Sequence, residues 1–283
     1  VFNVPTPWAP DVETCFTQVD TAIKAVKQYP LVEATICPHA PYTTDPEILK
    51  EVIAVAQSHN VPVHTHIAES QAEETHCLDH YQQRPFEYLH KVGLFDCHVL
   101  AAHMIHLTDD EIAEAAQLNV HALHCPEANM KLASGMSPVQ AMIDAGVNVC
   151  IATDGAASNN DLDLFGEMRS AAFLGKVMTM NPEAVSAQSV LTMATVNGGK
   201  ALGFNVGQLA EGMAADIIAV DMSAYHTQPL YHPDAQLVYA SNASQVTDTW
   251  VNGKQLMADR QLLTIDTQQL DQMIAKWQQT IRL

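Results

Sequence analysis

The sequence predicts an α/β fold, a TIM-type (β/α)8 barrel with a small β appendage. Three observations carry this. Short apolar runs alternate with helical patterns at spacings of roughly 25 to 40 residues, the grammar of parallel strands joined by crossover helices. His39, His66, His103, His124 and Asp154 each stand at or just past the C-terminal end of a different run. A barrel gathers every strand end at one mouth, whereas an open sheet collects its ligand at a single switch point, so the barrel explains more. After about residue 205 the alternation gives way to short runs with hairpin signals, which marks the appendage.

The elements follow in order. Val1 to Pro5 reads as the tail of a strand, and a helical pattern covers Val12 to Gln28. Val32 to Ile36 is a second β-rich run, ending in Cys37-Pro-His-Ala-Pro-Tyr42. Asp45 caps a helix with Pro46 at its first position, and Ile48, Leu49, Val52, Ile53 and Ala56 line one face until Asn60 stops it. Val61 to Ile67 is the next strand, and Gln71 to Lys91 is helical up to Gly93. The run from His98 to Leu107 precedes a capping box made by Thr108 and Glu111. Val120 to Leu123 leads to His124-Cys-Pro126; Ser137 and Pro138 then open a short helix that Gly146 closes. Val147 to Ala152 runs into Thr153-Asp-Gly155, and Leu162 to Met178 is a long helix. Counting the first run, this makes six strands. Ile217 to Val220, then Val246 to Val251 with Asn252-Gly253 and Lys254 to Met257, are antiparallel strands, followed by an amphipathic helix from about Thr267 to Ile281.

Composition excludes more than it selects. Against 13 basic side chains stand 32 acidic ones, a formal charge of −19 that argues against nucleic acid or anionic lipid as a partner. A small-molecule substrate is the natural alternative. Six cysteines without a Cys-x-x-Cys pair read as reduced, structural thiols of a cytoplasmic protein. No apolar run reaches the ~20 residues of a membrane span.

The stretch Val61-Pro-Val-His-Thr-His-Ile-Ala-Glu-Ser70 concentrates the chemistry. Alternation puts His64 and His66 on one face of a strand, and Glu69 falls just past its end, where a turn can fold it back. A hydrolytic metal site needs imidazole and carboxylate ligands, an open position for water and a base within reach of that water. His66 is the candidate ligand, Glu69 the candidate base, His103 is placed to orient the water, and Asp154 could complete the metal shell. Each also has a plain reading, a hydrogen-bonded strand-end histidine or a common Thr-Asp-Gly turn.

The segments His66-Ile-Ala-Glu69, Ala102 to Leu107, His124 to Gly135 and Thr153 to Asp163 resemble the amidohydrolase superfamily, and within it the 5-methylthioadenosine/S-adenosylhomocysteine deaminases. The likeness extends to Pro38-His-Ala-Pro-Tyr42, Ala194 to Gly203 and Glu211 to Asp216. It implies one zinc or similar divalent ion, held by His66 and Asp154, and hydrolytic deamination of an adenine nucleoside. It further implies that Glu69 moves a proton from water to a ring nitrogen and contacts the substrate. Asp154 would carry a proton to departing ammonia, His103 would steady the attacking oxygen, and His39 would face the purine or its ribose. The resemblance implies an amidohydrolase-type (β/α)8 barrel, here lacking its first strands, with a small β-sandwich appendage: residues 1–204 would be barrel strands 3 to 8, and 205–283 the C-terminal part of the sandwich plus the terminal helix. A homo-oligomer is compatible with it.

The family's first barrel strand carries a His-x-His pair. His64-Thr-His66 has that spelling, but the following Ile-Ala-Glu identifies a later strand, so His64 is read as a supporting histidine. The sequence therefore predicts a further N-terminal segment upstream of Val1. Rival readings are the same chemistry on another heterocycle (guanine, cytosine or a triazine), or a non-catalytic truncated barrel. A nucleotide-binding dehydrogenase lacks its Gly-x-Gly-x-x-Gly.

Overall fold

Four parallel strands in strict chain order form the wall on which everything else is hung. The computed structural model describes Phe2 and residues 5–281, so the expected strand at Val1–Pro5 lies largely outside the described residues. Helix α1 (Val12–Val26) starts on Asp11, whose carboxylate accepts the Thr14 N–H, and α2 (Pro46–His59) ends where Asn60 turns left-handed at φ 53°. Asp45 occupies the N-cap position of α2 with extended backbone, but its side chain makes no capping bond there. The strands are β1 (Val63–Ile67), β2 (Val99–His103), β3 (Val120–His124) and β4 (Asn148–Ile151), paired β1-β2-β3-β4, all parallel. This one-way order is that of a barrel wall and lacks the reversal that makes a switch point in an open sheet. Among the described residues the wall is a four-stranded parallel sheet, and a closed barrel is not formed.

Val32 to Ile36, expected as a strand, contributes only one bridge, Ile36 to Val63. Leu31 and Val32 are exposed, and with no partner on its far side among the described residues the run gains too little from pairing to extend the ladder. The helix expected from Gln71 to Lys91 is two helices, α3 (Gln71–Tyr81) and α4 (Pro85–Val92). Gln82 takes a left-handed φ of 57° to end the first, and Pro85, which has no N–H to donate, opens the second.

Helix α5 (Asp109–Ala115) carries the expected capping box between Thr108 and Glu111. After β3 come α6 (Pro126–Lys131) and α7 (Val139–Ala145). Ser137 does not cap α7: its hydroxyl donates instead to the Met104 carbonyl at 3.0 Å, across to the strand-end turn of β2. Gly146, at φ 91°, closes α7 as expected. Beyond β4 lie α8 (Ala156–Asn159), α9 (Leu164–Thr179), α10 (Ala187–Ala194) and α11 (Val196–Leu202). Asn197 on α11 donates to the Val149 carbonyl at 2.8 Å, satisfying part of the outer edge of β4.

The two faces of the sheet differ. Val63, Ile67, Val99, Ala101, Val120 and Val149 pack outward against the helices in one continuous core with Leu49, Phe86, Met142 and Met168. The inner face alternates with them and carries His64, His66 and Leu123. A small second cluster of Leu100, Cys150 and Ala201 sits against Leu123. All six cysteines are free thiols, five of them buried.

The appendage is a single antiparallel sheet, β5 (Ile217–Val220), β6 (Val246–Val251), β7 (Lys254–Ala258) and β8 (Gln261–Leu262), with α12 (Pro233–Ala240) between β5 and β6. No second sheet of a sandwich is present among the described residues. Asn252 and Gly253, at φ 48° and 77°, form the expected hairpin turn between β6 and β7. Helix α13 (Thr267–Thr280) buries no residue and exposes Leu270, Met273, Ile274 and Trp277 at helical spacing. No helix among the described residues is long and apolar enough to cross a membrane.

Phe86 is fully buried, with its ring centroid 4.6 Å from that of Phe95. Phe86→Ala should lower unfolding stability by about 3–5 kcal/mol through the cavity it leaves. Urea unfolding checks this, with an unchanged m-value marking a loss confined to the native core.

Candidate metal centre and active site

Each strand that supplies a polar residue to the mouth ends in a left-handed residue. Ala68 follows β1 at φ 53°, His103 and Met104 stand at 74° and 46° at the end of β2, and Asp154 follows β4 at 62°. The side chain of Ala102 lines the inner cavity, so simple alternation would send His103 outward. Its left-handed backbone instead accompanies a ring stacked on His66, centroids 5.3 Å apart and planes 14° from parallel.

The result is a convergence of donors. One ligand atom each from His66, His103 and Asp154 lie within 4.8 Å of one another. The ring orientations are fixed from behind. His66 Nδ1 lies against the His39 carbonyl, which can only accept, so Nδ1 is the donor and Nε2 is the atom left for the site. His103 Nδ1 is likewise held by Asn129 Oδ1 at 2.7 Å. Its Nε2 stands 3.9 Å from Glu69 Oε1. Asp154 Oδ1 accepts the Gly155 N–H at 2.6 Å, and Oδ2 accepts the Ser158 hydroxyl at 2.7 Å. Two backed imidazoles and an oriented carboxylate are donors of the kind that suit a divalent ion such as zinc.

The structure brings these predicted strand-end residues together. Glu69, His66, His103 and Asp154 share one mouth, and His39 joins them with its ring centroid 4.7 Å from that of His66. His39 Nδ1 donates to Thr43 Oγ1 at 2.8 Å, and that hydroxyl donates onward to the Ala40 carbonyl, which leaves Nε2 as an acceptor. Burial, helped by the nearby His66, lowers the His39 pKa below the usual histidine value. His64 lines the same cavity of about 480 Å³ but stays outside the donor cluster; burial and then His66 and His103 lower its pKa too. His124 does not enter the site. Leu123 and Cys125 line the cavity while His124 is fully buried with neither ring nitrogen bonded, and burial pushes its pKa down to about 3.

Other supporting residues carried no assigned role in the sequence. Asn129 holds His103 by its side chain and, through its carbonyl, accepts the Ser134 N–H at 2.9 Å. Ser134 Oγ in turn donates to Glu69 Oε1 at 3.3 Å. One short segment after β3 thus steadies residues at the ends of β1 and β2, a link across 65 residues that no local pattern reveals. The Asp154 loop is tied down by Lys131, whose ammonium donates to the Ala157 carbonyl at 2.8 Å and also to Asn160 Oδ1. Asn159 donates to the buried Glu167 on α9, which also accepts the Glu127 N–H at 3.1 Å.

With this geometry established, relationships to known proteins are clear. The chain belongs to the amidohydrolase family, which it matches over residues 7–256. It is 38% identical over its whole length to a 5-methylthioadenosine/S-adenosylhomocysteine deaminase of Syntrophobacter fumaroxidans, covering 65% of that protein. It is 45% identical, over 82% of its length and 54% of the relative's, to a 5'-deoxyadenosine deaminase of Methanococcoides burtonii. Among solved structures it resembles an adenosine deaminase from Xanthomonas campestris with bound zinc, at TM-score 0.96 and 39% identity, covering 99% of this chain and 64% of the other. The chain thus spans less than two thirds of each of these proteins.

Glu167 makes the stability of the folded chain dependent on pH. Burial, with the Glu127 carboxylate adding to it and hydrogen bonds partly offsetting it, pushes its pKa up to about 8 from 4.5. The native state therefore holds a proton that the unfolded chain has released. This stabilisation is complete below about pH 4.5 and is lost as pH rises through about 8. Glu167→Gln should flatten the fall in Tm between pH 6 and 9, measured by thermal unfolding across that range; an unchanged slope would contradict it.

Proposed function

We propose that this protein carries out hydrolytic deamination of the adenine ring of 5-methylthioadenosine or S-adenosylhomocysteine, releasing ammonia and the inosyl product. The observation that carries the reading is the meeting of His66, His103 and Asp154 donor atoms within 4.8 Å, beside Glu69. The relatives named for 5-methylthioadenosine, S-adenosylhomocysteine and 5'-deoxyadenosine all point to adenosines altered at the 5' position.

His66 and Asp154 would hold the metal. When bound, zinc supplies a Lewis acid that makes water a competent nucleophile near neutral pH. Glu69 accepts the proton of the attacking water and delivers it to the ring nitrogen next to the amine-bearing carbon. His103, held by Asn129 and facing Glu69, steadies the oxygen as it adds to that carbon. Asp154 then takes the remaining proton of the added hydroxyl and passes it to the departing amine, so that the carbon–nitrogen bond breaks to release ammonia and leave a ring carbonyl. His39 offers Nε2 as an acceptor at the same mouth, suited to a ribose hydroxyl or the purine edge.

The test is ammonia release by the full-length protein on 5-methylthioadenosine and S-adenosylhomocysteine. Glu69→Gln should lower kcat by about 10²–10⁴-fold, the usual contribution of a positioned acid–base group, while zinc content by elemental analysis stays unchanged. Absence of ammonia with both nucleosides would overturn the proposal. Stripping the metal with a chelator should abolish activity, and zinc should restore it.

A further inference from the structure

Glu73 stands one helical turn beyond Glu69, in the first turn of α3, and is almost wholly inaccessible to water. Ser70 caps that helix by accepting the Glu73 N–H. In an ordinary capping box the Glu73 carboxylate would return to the N–H of Ser70. It reaches further back instead: Oε1 accepts the Ala68 N–H at 2.9 Å and Oε2 accepts the Glu69 N–H at 2.8 Å. Both oxygens are thus spent on the two peptide groups that make the turn.

That turn is one a non-glycine residue adopts at a cost. Ala68 sits at φ 53°, and a left-handed alanine persists only where its surroundings hold it. Its carbonyl is also committed, accepting the N–H groups of Ile105 at 3.0 Å and His106 at 2.9 Å just beyond His103. The Ala68 peptide therefore links the end of β1 to the end of β2, and Glu73 is the buried acceptor that fixes its N–H side. Burial pushes the Glu73 pKa up to about 7, with its backbone hydrogen bonds opposing that rise.

We propose that Glu73 is a positioning residue that holds the left-handed turn at Ala68 and thereby aims the Glu69 carboxylate at the site. This rests on the reading of Glu69 as the proton carrier. Glu73 touches neither metal donors nor substrate in this role; it acts on the backbone of the residue that does.

Glu73→Gln preserves volume but offers one acceptor oxygen, and its amide N–H₂ would face a backbone N–H that needs an acceptor. Kinetics of the full-length protein should show kcat reduced by about 10- to 100-fold, with KM changed by less than about threefold, as for a slight misplacement of a reacting group. Zinc content should not change. On the Glu69→Gln background the same substitution should have no further effect on kcat, because the group it positions is gone. Amide hydrogen exchange should quicken at Ala68 and Glu69 while β1 and β2 keep their protection. Glu73→Asp, which keeps the charge but withdraws the carboxylate by one methylene, should give a smaller loss of kcat in the same direction and serves if the glutamine variant does not fold.

Wild-type kcat in Glu73→Gln and Glu73→Asp would overturn the proposal, as would a full further loss on the Glu69→Gln background or a fall in zinc content that tracks activity. Failure of the underlying functional reading shows elsewhere, as undiminished ammonia release by Glu69→Gln alone.

Discussion

The site depends on backbone conformations that its residues do not favour. Ala68, His103, Met104 and Asp154 all lie in the left-handed region, each at a cost of order 1–3 kcal/mol unless compensated. They are held by being bonded to one another and to the strands below. Met104 donates to the Ile67 carbonyl, Ile105 and His106 donate to that of Ala68, and Ser137 reaches across to that of Met104. The parallel ladder sets these turns at a common height, and the turns in turn bring the side chains inward. A functional mouth in this fold is accordingly a set of strained strand ends resting on a rigid wall.

The same economy governs the acids beneath the mouth. Glu73 and Glu167 are both buried, both have pKa values raised by that burial, and both accept backbone or amide N–H groups from loops that carry a site residue. A buried carboxylate is a poor stabiliser in isolation, because removing charge from water is costly. Its use here is geometric: it accepts two hydrogen bonds at fixed directions where a helix meets a turn. The exposed ion pairs of α1 and α2, such as Lys24 with Asp20, have no such task.

How much of this was readable from the amino-acid sequence depends on range. The His66-x-x-Glu69 spacing and the position of Asp154 after an apolar run are local, and the structure brings those residues together. The Asn252-Gly253 hairpin and the Thr108–Glu111 capping box are equally local. What escaped was set by distant partners. Val32 to Ile36 has the composition of a strand but only one neighbour to pair with, and Ser137 has the chemistry of a helix cap but bonds the Met104 carbonyl instead. The helical run from Gln71 to Lys91 conceals a break because Gln82, unlike glycine, gives no warning of a left-handed turn. Ser134 lay inside a recognisable motif, yet its bond to Glu69 belongs to the folded chain alone. Glu73 left one trace, the Ser-x-x-Glu spelling of a capping box, whose carboxylate accepts the Ala68 and Glu69 N–H groups in place of that of Ser70.

The strict chain order of the four parallel strands has a consequence for how such a protein can diversify. Strands β1, β2 and β4 each deliver a polar residue to the mouth, while the segment after β3 braces two of those residues, so the rim is interdependent and the wall is common property. A change in length between Asn129 and Ser134 would be felt at His103 and Glu69, although the strand register that places His66 beside His103 is set elsewhere. Change at one rim segment is therefore felt at its neighbours, and the hidden acceptors under the turns bear on the shape of the mouth without lining its cavity.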